Sequence, residues 1–117
     1  MRYVFLVYRD EASGDGLEPC RRDAMAGEAA VYREQLRQDG QLLAAVALDM
    51  AALTVRAPNG ALEIVDGHGA GASERLAAVW LTEARDLNEA IRLAARMPEA
   101  RFGSIEVRSL EHEESER

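Results

Sequence analysis

At 117 residues the chain has the length of a single domain. Its formal charge of −7 argues against nucleic acid, because a phosphate-binding surface needs clustered cations. All 14 basic residues are Arg and none is Lys, which excludes Schiff-base chemistry.

A hydrophobic content of 48% is ample for a core, yet no apolar run approaches the ~18 residues that a membrane helix needs. The single cysteine, Cys20, cannot form an intrachain disulfide, which suits a reducing compartment. The opening MRYVFLVYRDE alternates like a strand and meets acid at once, unlike a signal peptide. The expected setting is cytoplasmic, with neither nucleic acid nor membrane as partner.

Arg2 to Tyr8 places Tyr3, Phe5 and Val7 on one face and Val4 and Leu6 on the other. Both faces are apolar, which predicts a central strand. Arg9 to Pro19 is polar and Gly-rich and reads as a loop. From about Arg21 to Gln38, Met25, Ala29, Tyr32 and Leu36 recur at helical spacing, and Gly40 stands in the C-cap position. Leu42 to Leu48 is an apolar strand. Leu53 to Ala57 and Ala61 to Val65 flank Pro58-Asn59-Gly60, a hairpin signal.

Asp66 to Ser73 is a Gly-rich loop, and Leu76 to Thr82 a strand. Asp86 with Glu89 three residues on predicts a capping box, followed by a helix whose core face is read as Leu87, Ile91, Ala94 and Ala95. Pro98 stops it. Ser104 to Leu110 alternates Ile105 and Val107 against Glu106 and Arg108, as a half-exposed edge strand would. The tail at 111–117, EHEESER, is a solvated acidic run expected to be disordered. The domain proper is taken as residues 1–110.

Strand, helix, strand, hairpin, strand, helix, strand is the split βαβ order of an α+β, ferredoxin-like fold with an inserted hairpin. Both helices are expected on one face of a four-stranded antiparallel sheet. The other face, expected to carry Tyr3, Phe5 and Trp80 or their neighbours, would be too large an apolar patch to stay open. A second copy packed sheet to sheet, a homodimer, would cover it.

Several motifs point the same way. MRYVFLVYRDE, the helix around Glu34, Leu36 and Gly40, Val65-Asp66-Gly67, Asp86-Leu87-Asn88-Glu89-Ala90, and the ending from Met97-Pro98 to Val107-Arg108 occur in a fixed order. In them the chain resembles the YCII-related proteins, in particular the branch named for a DGPF motif. The similarity runs without gaps from Asp66 to Leu110. It implies a dimeric α+β barrel, a family in which most members have no assigned reaction, and some relatives with a His/Asp pair in a cleft beside the sheet. Where that branch has Pro-Phe, this chain has His68-Gly69, and the positions that follow are Gly71, Ala72 and Ser73.

Asp66 and His68 are the sharpest chemical pair. A carboxylate two residues from an imidazole of pKa about 6.5 suits general acid/base work. The competing reading is a turn-capping Asp66 and an exposed loop histidine. Glu74 is a second carboxylate beside the same loop. Together the three groups offer oxygen and nitrogen donors, but no Cys-rich or HExxH spacing supports a metal, and neither metal nor cofactor is assigned. Arg9, at a strand end, could hold an anionic group. Tyr32 and Tyr8 could donate hydrogen bonds to a ligand or serve the core. Trp80 reads as core or dimer interface, Cys20 as a surface thiol, and His112 as a tail residue without a role.

The functional reading is a dimeric domain binding a small molecule in a cleft beside the sheet, near the Asp66–His68 turn, with Arg9, Glu74 and Tyr32 as ligand contacts. The alternatives are a small acid/base enzyme, of lyase or hydrolase type, that uses His68 with Asp66, or a degenerate scaffold or regulatory module.

Overall fold

The computed structural model of the chain describes residues 1–10, 19–49, 51–67 and 74–111. His68, the rest of the Gly-rich loop through Ser73, the loop at 11–18, and the tail from His112 lie outside the described residues, as do the side chains of Asp10 and Cys20.

Among the described residues, six strands and two α-helices follow in the expected order: β1 (Arg2–Asp10), α1 (Pro19–Gln38), β2 (Leu42–Ala47), β3 (Leu53–Arg56), β4 (Glu63–Asp66), β5 (Glu74–Glu83), α2 (Leu87–Ala95) and β6 (Gly103–Ser109). A four-stranded sheet has the order β2-β5-β1-β6, with every neighbouring pair antiparallel. This is the ferredoxin-like arrangement, with β1 central and β6 at an edge. β3 and β4 form a separate two-stranded ribbon.

Local sequence signals explain the element ends. Pro19 opens α1, where its missing N–H has no intrahelical partner to lose. Gly40 closes it at φ +75°, with Gly40 N–H donating to Arg37 O and Gln41 N–H to Leu36 O, the two bonds of a Schellman motif. The ribbon turns through Asn59 and Gly60, both at positive φ. The Thr54 hydroxyl donates to Gly67 O at 2.8 Å and closes the ribbon's base. Asp86 caps α2 by accepting from Glu89 N–H at 2.9 Å. Glu89 answers by accepting from Arg85 N–H at 2.7 Å, one residue earlier than the reciprocal capping-box bond.

The core lies between the helices and one sheet face. Tyr3, Phe5 and Val7 of β1, Trp80 of β5, Leu42 of β2, and Tyr32 and Leu36 of α1 are all buried there. Phe5 and Trp80 are cross-strand partners, stacked with ring centroids 6.5 Å apart. Thr82, fully buried, donates its hydroxyl to Tyr3 O.

One expectation about faces is narrowed and one is corrected. Tyr3, Phe5 and Trp80 belong to the helix-covered face, and their neighbours form the open one. Pairing of Val4 with Leu81, and of Leu6 and Val46 with Val79, puts those five aliphatic side chains on the uncovered side. β1 is apolar on both faces, so alternation alone does not choose between them. In α2 the buried residues are Ala90, Leu93 and Ala94, with Met97 just beyond, whereas Leu87 and Ile91 are about half exposed. The two stripes share Ala94.

Candidate functional site

The end of β1 is where the layers part. β5 carries a bulge here: Val7 pairs with Ala78 but Tyr8 with Leu76, which leaves Ala77 unpaired and buried. Beneath it a cleft of about 300 Å³ opens between α1 and the sheet. Val7, Ala77, Ala78 and Trp80 supply apolar lining. Arg9 from β1, Arg33 from α1 and Glu99 from the 3-10 turn Pro98–Arg101 supply charge. A smaller hollow shares Val7, Arg9, Ala77 and Glu99 and continues toward Met25, Phe102 and Gly103. Gly103 is required at this junction, because a Cβ there would lie 2.0 Å from the Tyr8 carbonyl oxygen.

The electrostatics of the cleft are unbalanced. Neither Arg9 nor Arg33 has an ion-pair partner among the described residues. Glu99 places Oε1 out of contact with solvent, with no hydrogen-bond partner among the described residues. A buried acceptor without a partner is uncommon and calls for an explanation.

Of the residues singled out from sequence, Arg9 lies in this cleft. Asp66 ends β4 on the ribbon, exposed and opposite Leu53, and does not line the cleft. His68 lies outside the described residues. Glu74 opens β5, paired with Asp10, and both its carboxylate oxygens accept from the Ser104 hydroxyl at 3.1 Å. Tyr32 is core: its hydroxyl donates to Leu93 O at 2.8 Å, and the Arg96 guanidinium stands 5.9 Å from its ring centroid. Burial, partly offset by Arg96, pushes the Tyr32 phenol above its ordinary value.

Arg33 and Glu99 were not singled out from the sequence. Arg33 follows Tyr32 at the margin of the apolar stripe, and its charge beside that stripe was the available signal. Glu99 follows the proline stop and carries no local signal.

The uncovered sheet face holds a second polar group. The Tyr8 hydroxyl donates to Glu106 Oε1 at 3.0 Å, and Arg108 Nε donates to Glu106 Oε2 at 2.7 Å. Arg108, and then the Tyr8 hydroxyl, hold the Glu106 carboxyl below the usual carboxylate range. Tyr8 is raised in turn, by burial and then by Glu106. These side chains border the patch formed by Val4, Leu6, Val79 and Leu81.

The YCII-related domain model matches residues 1–113. The chain belongs to the YCII-related family. No curated protein matches it. The YCII-related match takes in Arg9, Arg33, Trp80 and Glu99, so the whole cleft lies within the family domain. Among the described residues of this YCII-related domain, no group of three His, Cys, Asp or Glu is placed to hold a metal. No helix among them is long and apolar enough to cross a membrane.

Proposed function

We propose that this YCII-related domain acts as a homodimer and binds a small organic anion in the cleft between α1 and the sheet. The observation that carries the reading is that Arg9 and Arg33, without ion-pair partners among the described residues, line one cleft of about 300 Å³ floored by Trp80 and small apolar residues. That volume is at the small end of ligand pockets. Guanidinium groups stay charged and offer paired N–H donors that match a carboxylate or phosphate. Asp66 stands outside this cleft, so the reading does not use the Asp66–His68 pair.

A thermal-shift screen of small anions against wild type, Arg9→Ala and Arg33→Ala tests it. A stabilising anion whose effect is lost in both variants is the expected result. Hits that persist in both variants, or hits confined to cations, would refute it.

The dimer rests on the uncovered face. Val4, Leu6, Val46, Val79 and Leu81 lie together there, bordered by the Tyr8–Glu106–Arg108 network. Sheet-to-sheet packing of two copies would remove these aliphatic groups from water, and a stable interface needs roughly 1,200 Å² or more in total. Light scattering at micromolar concentration is expected to report a dimer for wild type and a monomer for Leu81→Arg. A wild-type monomer would end the proposal.

A further inference from the structure

We infer that the anion held by Arg9 and Arg33 is a small saturated monocarboxylate, with its hydrocarbon tail in the hollow that adjoins the cleft. The inference rests on the anion-binding reading above and adds the part of the ligand that the guanidiniums do not recognise.

The cleft and the hollow share a wall, since Val7, Arg9, Ala77 and Glu99 line both. Their chemistry differs from one end to the other. The wider part, of about 300 Å³, holds Arg33 beside Arg9. The narrower part, of about 40 Å³, leaves Arg33 behind and is walled by Met25 and Phe102 with Val7 and Ala77.

Local structure explains why this space is present. The β5 bulge leaves Ala77 unpaired and buried, with a side chain of a single carbon. Gly103 adds no side chain at all, because the Tyr8 carbonyl oxygen occupies the place of its Cβ. Two small residues in one lining leave room that the larger side chains do not fill. An apolar void forfeits contacts that a hydrocarbon guest restores, and it takes such guests in preference to water. One water needs roughly 10–15 Å³ of such space, so the hollow has room for about three CH₂ or CH₃ groups.

Charge narrows the class further. Two guanidiniums and the Glu99 carboxylate give the cleft one net positive charge, which suits a monoanion better than a dianion. Glu99 Oε1 presents no surface to a ligand, so the open polar groups are the two guanidiniums. A second carboxylate at the end of the tail would lose its water among Val7, Met25, Ala77 and Phe102.

The test titrates the full chain calorimetrically with acetate, butanoate, hexanoate and adipate. Adipate has the carbon count of hexanoate and a carboxylate at each end. Hexanoate should bind at least tenfold more tightly than acetate, since each CH₂ taken from water is worth roughly fourfold. Butanoate should fall between them, and adipate should bind at least tenfold more weakly than hexanoate. Ala77→Leu, which fills the hollow, should remove the advantage of hexanoate and leave acetate as it is. Met25→Ala takes away a wall at a half-buried helix position and should shrink that advantage severalfold, which guards against a folding defect in the first variant. Arg33→Ala should weaken acetate and hexanoate by the same factor. If acetate or adipate binds as tightly as hexanoate, or if the advantage of hexanoate survives both Ala77→Leu and Met25→Ala, the tail inference falls and the anion reading stands. If the carboxylates fail while another anion gives a hit that depends on Arg9 and Arg33, the tail inference again falls alone. With no such hit, both fall.

Discussion

The four-stranded sheet and the two-stranded ribbon use the same vocabulary of alternating aliphatic residues, and they bury it very differently. Tyr3, Phe5 and Val7 of β1 are at most 3% exposed. Leu53, Val55 and Ile64 of the ribbon, which cross-strand pairing puts on one face, are 59–66% exposed. Asp66 shares that face opposite Leu53, and the other ribbon face carries Thr54, Val65, Arg56 and Glu63, with an Arg56–Glu63 ion pair at 3.8 Å. The ribbon thus has aliphatic side chains of its own, but no layer among the described residues covers them. Alternation shows that a strand has an apolar side, and only a second layer turns that side into a core.

Substitutions in the two regions should separate sharply. Phe5→Ala removes a fully buried aromatic stacked on Trp80 and should cost about 3–5 kcal/mol in denaturant unfolding. Ile64→Ala in the ribbon should cost less than about 0.5 kcal/mol, as exposed substitutions do. A cost near that of Phe5→Ala would break the comparison and show that another chain covers the ribbon's apolar face.

Gly103→Ala comes next. Its Cβ meets the Tyr8 carbonyl, a backbone atom that cannot rotate away, so a loss of roughly 1–3 kcal/mol is expected. Gly60→Ala, at positive φ in the ribbon turn with open space around it, gives the matched control for conformational strain without a clash. Equal midpoints for the two variants would show that the approach of β6 to β1 is not tight.

Asp86→Ala should cost about 1 kcal/mol by removing the cap on Glu89 N–H. An unchanged denaturation midpoint would mean that α2 is held by packing alone.

The smallest effect concerns acid. Because Arg108 and Tyr8 lower the folded pKa of Glu106 below 4.5, this group adds stability above its unfolded pKa. That contribution fades as pH falls from about 4.5 through the lowered folded value. Glu106→Gln should therefore flatten the acid limb of a stability–pH curve. Indistinguishable limbs for wild type and variant would show that the network on the open face has no thermodynamic weight.

Much of this architecture was legible locally. The order of elements, the Schellman end at Gly40, the Asn59-Gly60 turn, the cap at Asp86 and the edge character of β6 depend on residues within a few positions of one another. The capping reply from Glu89 shows the grain of that reading, since it lands on Arg85 rather than Asp86. What stayed out of reach was every choice between two locally equivalent faces. Both sides of β1 are apolar, and α2 carries two overlapping stripes.

The candidate site divides in the same way. Arg9 was readable because a cation at a strand end is a local feature. Arg33 and Glu99 meet it only after α1 and the turn at Pro98–Arg101 have packed against the sheet, from positions 24 and 90 residues further along the chain. By itself the sequence determined which elements form and in what order, because propensities, caps and turns act over a few residues. Which faces are covered, and which charges share a cleft, was decided by the tertiary structure, because burial and proximity belong to contacts between segments far apart in the chain.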